Sequence, residues 1–145
     1  LDRLVNYDIG YSQNGTYHLN IAKALCYKKA GQLEKALEIM QTQINQPNYS
    51  VGLFDYLHLG VLHLELGDLI AGEKTFMAQS KENELAENQF YLGQLFLKKN
   101  DAVQAKVHLL KAKALYQAER FMYDPYAHQV DKVFLVEIEE ALEAL

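Results

Sequence analysis

Cysteine and proline are both scarce in this chain of 145 residues. Cys26 is the only cysteine, so no internal disulfide can form and nothing requires an oxidising compartment. Proline occurs only at Pro47 and Pro125, which leaves room for long helices. Half of the residues are hydrophobic, enough to bury a continuous core. We therefore expect a single folded, helical domain held together by packing, and a cytoplasmic location.

Concentrated positive charge and long apolar runs are missing as well. The net charge is −5, and the 14 basic residues, of which only Arg3 and Arg120 are arginines, form no dense patch. This argues against binding to the phosphate backbone of nucleic acid. No stretch approaches the run of about 18 apolar residues that spans a membrane, and no signal-peptide pattern is present. We expect no nucleic-acid partner and no insertion into a membrane.

Patterns typical of catalytic and metal sites are also lacking. His58 and His63 are five positions apart, so on a helix their side chains diverge by about 140° and cannot share a metal ion. Phosphate-binding glycine loops, nucleophile elbows and zinc-type spacings do not occur. Acidic pairs such as Glu137 with Glu140 have helical spacing, which is more typical of a solvated helix face than of a catalytic dyad. We predict no enzymatic activity, no cofactor and no bound metal.

The chain does contain a pattern of small, aromatic and turn residues that occurs three times. The copies are Ala24, Tyr27, Gly31, Leu33 and Ala36; Gly60, His63, Gly67, Leu69 and Gly72; and Gly93, Phe96, Asn100, Ala102 and Ala105. The turn positions Gly31, Gly67 and Asn100 lie 36 and 33 residues apart, a period typical of stacked helical hairpins. Small residues allow two helices to approach closely, and the turn residues can adopt the left-handed conformation that ends a helix.

At these positions the chain resembles the tetratricopeptide repeat (TPR) family, whose unit of about 34 residues carries the same order of small, aromatic and glycine positions. Three units would span residues 17–48, 53–84 and 86–117. The family's early tryptophan is replaced by Asn20, Tyr56 and Gln89. The resemblance implies an all-α solenoid of stacked antiparallel hairpins.

The expected organisation has three parts. Residues 1–15 form a loop or the end of an upstream helix, and residues 16–123 form the three hairpins. We predict helices over 16–30, 33–45, 50–66, 69–80, 84–99 and 102–122. Asp124 and Pro125 then open a C-terminal helix over 124–145 that closes the end of the solenoid. The alternative is that this helix presents its apolar face to another subunit.

In the TPR family the first helix of each unit lines a concave groove. The corresponding positions here are His18, Ile21, Leu25 and Lys28; Phe54, Leu57, Val61 and Leu64; and Glu87, Phe90, Gln94 and Leu97. This surface is strongly apolar, so we predict that it holds an amphipathic helix or an extended peptide. We expect its occupant to be a partner segment, or the terminal helix of the same or another copy. The pair Lys28 and Lys29 is interpreted as a helix end rather than as a ligand contact.

One TPR variant clamps the C-terminal carboxylate of a chaperone. The corresponding positions here, Ile21, Leu25, His58, Glu87 and Tyr91, offer no cation for a buried carboxylate, so we reject that role. Two classes of function remain. The first is an adaptor or scaffold that binds a peptide or helix of a partner protein. The second is an assembly or regulatory segment of a larger protein, an enzyme or a peptide-sensing regulator, that self-associates into a homodimer through the groove or the terminal helix.

Overall fold

The computed structural model describes residues 17–122 and 130–145, and all regular secondary structure in these ranges is α-helical. The helices are α1 (Leu19–Lys29), α2 (Leu33–Ile44), α3 (Asp55–Glu65), α4 (Leu69–Glu82), α5 (Ala86–Lys98), α6 (Ala102–Gln117) and α7 (Leu135–Glu143). The first six form three hairpins, and each helix packs against its neighbours in chain order. This confirms the expected all-α solenoid. The segment expected over 1–15 lies outside the described residues.

The three hairpins turn in the same way. Gly31, Gly67 and Asn100 have φ values of 81°, 85° and 60°, the left-handed conformation that the repeat pattern predicted. After each turn, a backbone N–H donates to the carbonyl five positions earlier: Gln32 to Tyr27, Asp68 to His63, and Asp101 to Phe96. These bonds satisfy carbonyls that the end of a helix would otherwise leave unpaired.

The contact between the two helices of a hairpin, which we call the seam, requires glycine in the second and third hairpins. A Cβ atom at Gly60 would lie 2.5 Å from a ring carbon of Phe76, and one at Gly93 would lie 2.8 Å from Leu109. Phe76 and Leu109 are both fully buried. The second and third seams are therefore closed by a large side chain packed directly on a bare backbone, as the small-residue pattern predicted.

The last part of the chain differs from the prediction. Helix α6 ends at Gln117 rather than 122, because Glu119 adopts a φ of 61° and Arg120 donates its N–H to the carbonyl of Leu115. Arg120 also accepts a hydrogen bond from the backbone N–H of Ala86, which ties the end of α6 to the start of α5.

The final helix begins at Leu135, not at 124. Asp124 and Pro125, expected to open it, lie outside the described residues. Residues 130–134 are not helical, and Asp131 has a φ of 68°. Helix α7 then starts where the side chain of Glu137 accepts the backbone N–H of Phe134, at 3.2 Å. It packs against α6 with Ile138 fully buried. The expected single helix over 124–145 is therefore corrected to a short helix preceded by an irregular segment.

Candidate functional site

The predicted groove positions lie on α1, α3 and α5, the first helices of the hairpins, or directly before them, as His18 and Phe54 do. Most of these positions are not exposed. Seven belong to the buried core, namely Ile21, Leu25, Phe54, Leu57, Val61, Leu64 and Phe90. Gln94 and Leu97 are half-buried. These side chains are therefore covered within the chain itself, where an apolar groove occupied by a partner segment or by a terminal helix was expected. Whether these residues bind a partner stays a prediction.

Part of the covering comes from the chain itself. Residues 130–134, which we call the inserted segment, contact all three first helices. Their partners are Lys28 of α1, His58 of α3 and Tyr91 of α5. Val130 packs against the core cluster that contains Ile21 and Leu25, and Val133 is buried in the cluster that contains Phe90. We expected the terminal helix or a partner on this concave face, and the structure places there the irregular segment that precedes the terminal helix.

The carboxylate of Asp131 is the most densely contacted group of the inserted segment. Its Oδ2 accepts a hydrogen bond from Nδ1 of His58 at 2.7 Å, and its Oδ1 accepts one from Nζ of Lys28 at 2.5 Å. His58 is fully buried, and the side chains of Lys28 and Asp131 are only 7% and 5% exposed. On the other side of the imidazole ring, Nε2 lies 2.9 Å from the hydroxyl of Tyr17.

This cluster bears on two interpretations from the sequence. Lys28 lies in the last turn of α1, as expected of a helix end, and it also forms a buried ion pair with Asp131. The concave face was expected to offer no cation to a carboxylate, yet Lys28 holds one there together with His58. Lys28 lies one helical turn beyond Leu25, outside the positions that correspond to the carboxylate clamp.

The electrostatics of the cluster favour an ionised Asp131. Burial by itself would raise the pKa of this carboxyl group, but the hydrogen bond and charge of His58, together with Lys28, more than offset it and hold the pKa below its usual range. Burial and the nearby carboxylates, Asp131 first among them, raise the pKa of Tyr91. Tyr91 therefore remains a hydroxyl donor, and it donates to the backbone carbonyl of Asp131 at 3.0 Å.

A second buried carboxylate, Glu87, binds main-chain N–H groups both before the inserted segment and within it. Its Oε1 accepts the N–H of Met122 at 2.7 Å, and its Oε2 accepts the N–H of Val133 at 3.4 Å. Lys132 lies 3.7 Å from Oε2 and donates to the carbonyl of Met122 at 2.8 Å. Burial nevertheless raises the pKa of Glu87, against the lowering effect of these donors and of Lys132. Glu87 thus binds both Met122 and the inserted segment to one point of α5.

Other candidate chemistry is not assembled in the described ranges. Residues 17–122 and 130–145 contain no group of three or more His, Cys, Asp or Glu side chains placed to hold a metal ion. His63 is buried away from His58, and burial lowers the pKa of its imidazole. Across the same residues, no helix has both the length and the apolar character needed to cross a membrane.

Comparison with known proteins identifies the fold. No protein-family model matches the sequence, and no curated protein matches it. Among solved structures, the chain is similar to the type III secretion translocator chaperone SycD of Yersinia enterocolitica, with a TM-score of 0.68 and 16% identity over 87% of each chain. It is also similar to PcrH, solved in complex with the chaperone binding region of PopB, with a TM-score of 0.66 and 19% identity over 85% of this chain and 91% of that one. The chain shares their TPR-like helical fold.

Proposed function

We propose that this protein binds an extended segment of a partner protein on its concave face and acts as a chaperone or adaptor without catalytic chemistry. The observation that carries the proposal is the inserted segment itself. Residues 130–134 lie against the first helix of every hairpin as a bound peptide would, with a buried side chain, main-chain hydrogen bonds and two aliphatic contacts. A surface that holds its own chain in this way has the means to hold another.

The contacts on this surface are of the two kinds that peptide recognition needs. Tyr91 and Glu87 bind main-chain atoms of the segment, which any sequence offers. The pockets for Val130 and Val133 accept side chains, and these supply specificity. The likeness to PcrH supports the same reading, because that chaperone was solved with a binding region of another protein.

A partner segment bound here has to displace residues 130–134. The inserted segment is tethered to the surface, so it competes at a high effective concentration and weakens the observed affinity of a partner. Membership of the TPR family and a cytoplasmic location remain part of this proposal. Self-association through the concave face or through the terminal helix stays the alternative.

The proposal can be tested with peptides selected from a random library on the full chain. Leu97, a predicted groove position on α5, is half-buried, and Val103, which is 75% exposed on α6, offers a matched control. We expect Leu97→Glu to weaken the selected peptides at least several-fold and Val103→Glu to leave them unchanged. Backbone amide shifts in NMR should concentrate in α1, α3 and α5. Equal effects of the two variants, with shifts confined to α2, α4 and α6, would contradict the proposal.

A further inference from the structure

The groups that hold the Asp131 carboxylate belong to the helical scaffold, whereas the carboxylate belongs to the inserted segment. Lys28 lies in the last turn of α1 and His58 in the first turns of α3, so the two donors come from neighbouring hairpins. They converge on the two oxygens of one carboxylate, at 2.5 and 2.7 Å. Because helices position side chains more rigidly than an irregular segment does, the two donors stay in place when the segment leaves.

The buried ammonium group of Lys28 makes this part of the concave face selective for acidic side chains. With residues 130–134 in place, the side chains of Lys28 and His58 are almost completely shielded from water. A neutral segment that covered the same surface would leave Lys28 without its counter-charge and His58 without its acceptor. Leaving a buried charge unpaired is strongly unfavourable, whereas exchanging one carboxylate for another keeps the pair intact. An incoming segment with an acidic side chain is therefore favoured over a neutral one of the same shape.

The neighbours of Asp131 define what must flank that acidic residue. Val130, directly before it, packs on the cluster that contains Ile21, and Val133, two positions after it, is buried beside Phe90. Between them, Lys132 turns away to Glu87 and the carbonyl of Met122. A segment that makes the same contacts therefore carries, in this order, an aliphatic residue, an acidic residue, one variable residue and a second aliphatic residue.

Building on the proposed function, we propose that Lys28 and His58 form a carboxylate-binding subsite of the concave face. Asp131 fills this subsite in the free protein as a stand-in for the ligand. The partner is a protein segment with an internal aspartate or glutamate, flanked by aliphatic residues in the spacing of Val130 and Val133. Its acidic side chain replaces Asp131 on Lys28 and His58, while Tyr91 binds its main chain.

The test uses the full chain with Asp131→Ala, which vacates the subsite, and peptides that carry the sequence of residues 129–134. Both peptide ends are blocked, so that the only variable carboxylate is the internal one. One peptide keeps the aspartate and the other carries asparagine in its place. Affinities are measured by calorimetry, and the ring signals of His58 are followed by NMR. We expect the acidic peptide to bind at least tenfold more tightly and to shift the His58 ring signals.

Two lysine variants show whether the preference comes from the proposed subsite. Lys28→Met in the Asp131→Ala background should abolish the difference between the two peptides. Lys29→Met removes an exposed lysine next to it and should leave the difference intact. If Asp131→Ala does not fold by circular dichroism, Asp131→Asn gives the same comparison, because it keeps the shape of the side chain while removing its charge.

The outcomes separate this inference from the proposed function. Equal affinity of the acidic and neutral peptides, or a preference that survives Lys28→Met, overturns the subsite but leaves a peptide-binding concave face. Failure of both peptides to bind, while library-selected peptides still bind the concave face, also overturns the subsite alone. Failure of every peptide, selected ones included, overturns the proposed function as well.

Discussion

The hairpin seams and the concave face are both buried, but they are built from different chemistry. At a seam, a glycine on one helix meets a large apolar side chain on its partner, as Gly60 meets Phe76. On the concave face, buried carboxylates of Asp131 and Glu87 meet lysine, histidine and main-chain N–H groups. An apolar seam has no alternative partner in water, whereas every polar group of the concave face has one. Buried ion pairs also add little net stability once their desolvation is counted. The seams are suited to permanent contact and the concave face to exchange.

Leu57 tests where the boundary between these two regions lies, and it should show the largest effect. It was predicted to line the groove, but it is fully buried in one cluster with Phe76. We expect Leu57→Ser to lower the free energy of unfolding by roughly 2–5 kcal/mol, because it leaves a cavity and buries a hydroxyl group. Urea denaturation measures this. Leu53→Ser, at a side chain that is 64% exposed, is the control and should change little. If Leu57→Ser lowers the free energy of unfolding no more than Leu53→Ser does, Leu57 lies outside the permanent core.

The seam itself is tested by adding bulk at Gly60. A leucine there would drive its side chain into the ring of Phe76, which lies 2.5 Å from the position of the added Cβ. We expect a loss on the order of 1–3 kcal/mol from overpacking. Ala114→Leu, at an exposed position of α6, adds the same bulk without a neighbour to displace. Similar melting temperatures for the two variants would show that the seam is looser than the structure indicates.

Asp131→Asn should act on the concave face and leave the seams intact. The substitution removes the charge that pairs with Lys28 and weakens the bond to His58. We expect the inserted segment to open more often while the hairpins stay folded. Trypsin cleavage after Lys132 should become several-fold faster, with only a small change in melting temperature. Glu140→Gln, at an exposed position of α7, is the control. Cooperative unfolding of the whole chain by Asp131→Asn would contradict a division into permanent and exchangeable contacts.

The two buried carboxylates should respond to pH in opposite directions. The pKa of Asp131 lies below its unfolded value, so its contribution is present above the usual aspartate pKa and is lost as pH falls through the folded pKa. The pKa of Glu87 is raised, so stability falls as pH rises from the usual glutamate pKa through the folded one.

Urea denaturation of the parent, Asp131→Asn and Glu87→Gln across the acidic range separates the two groups. Relative to the parent, the Asp131 variant should lose stability as pH rises, and the Glu87 variant should gain it. If the stability difference from the parent changed with pH in the same direction for both variants, the opposite pKa shifts of Asp131 and Glu87 would be contradicted.

The smallest effect is expected at the surface contact between α6 and α7. Lys113 and Glu139 lie 3.8 Å apart, and both side chains are more than a third exposed. Exposed pairs of this kind contribute about 0–1 kcal/mol and are screened by salt. A double-mutant cycle with Lys113→Met and Glu139→Gln should give a coupling energy in that range. A coupling as large as the loss in Leu57→Ser would show that α7 is held by charge and not by the packing of Ile138.

The hairpins were predictable because their signals are local. A left-handed turn such as Gly67 and a close-packing glycine such as Gly60 leave their mark within one helical repeat. The contents of the concave face were predictable only in part. Lys28 was among the predicted groove positions, but its partner Asp131 is 103 residues away, and His58 and Asp131 are 73 apart. No local pattern encodes contacts at such separations. Likewise, the helix predicted from 124 required a regular backbone where Asp131 adopts a left-handed φ.

The most direct test of the account is amide hydrogen exchange of the inserted segment, with and without a saturating library-selected peptide. In the free protein the N–H of Val133 donates to buried Glu87, so it should exchange slowly. If residues 130–134 stand in for a partner segment, saturation with peptide releases them, and the amide of Val133 then exchanges rapidly while those of α3 and α5 stay protected. Unchanged slow exchange of Val133 at full peptide occupancy would contradict the claim that the segment and the partner share one surface.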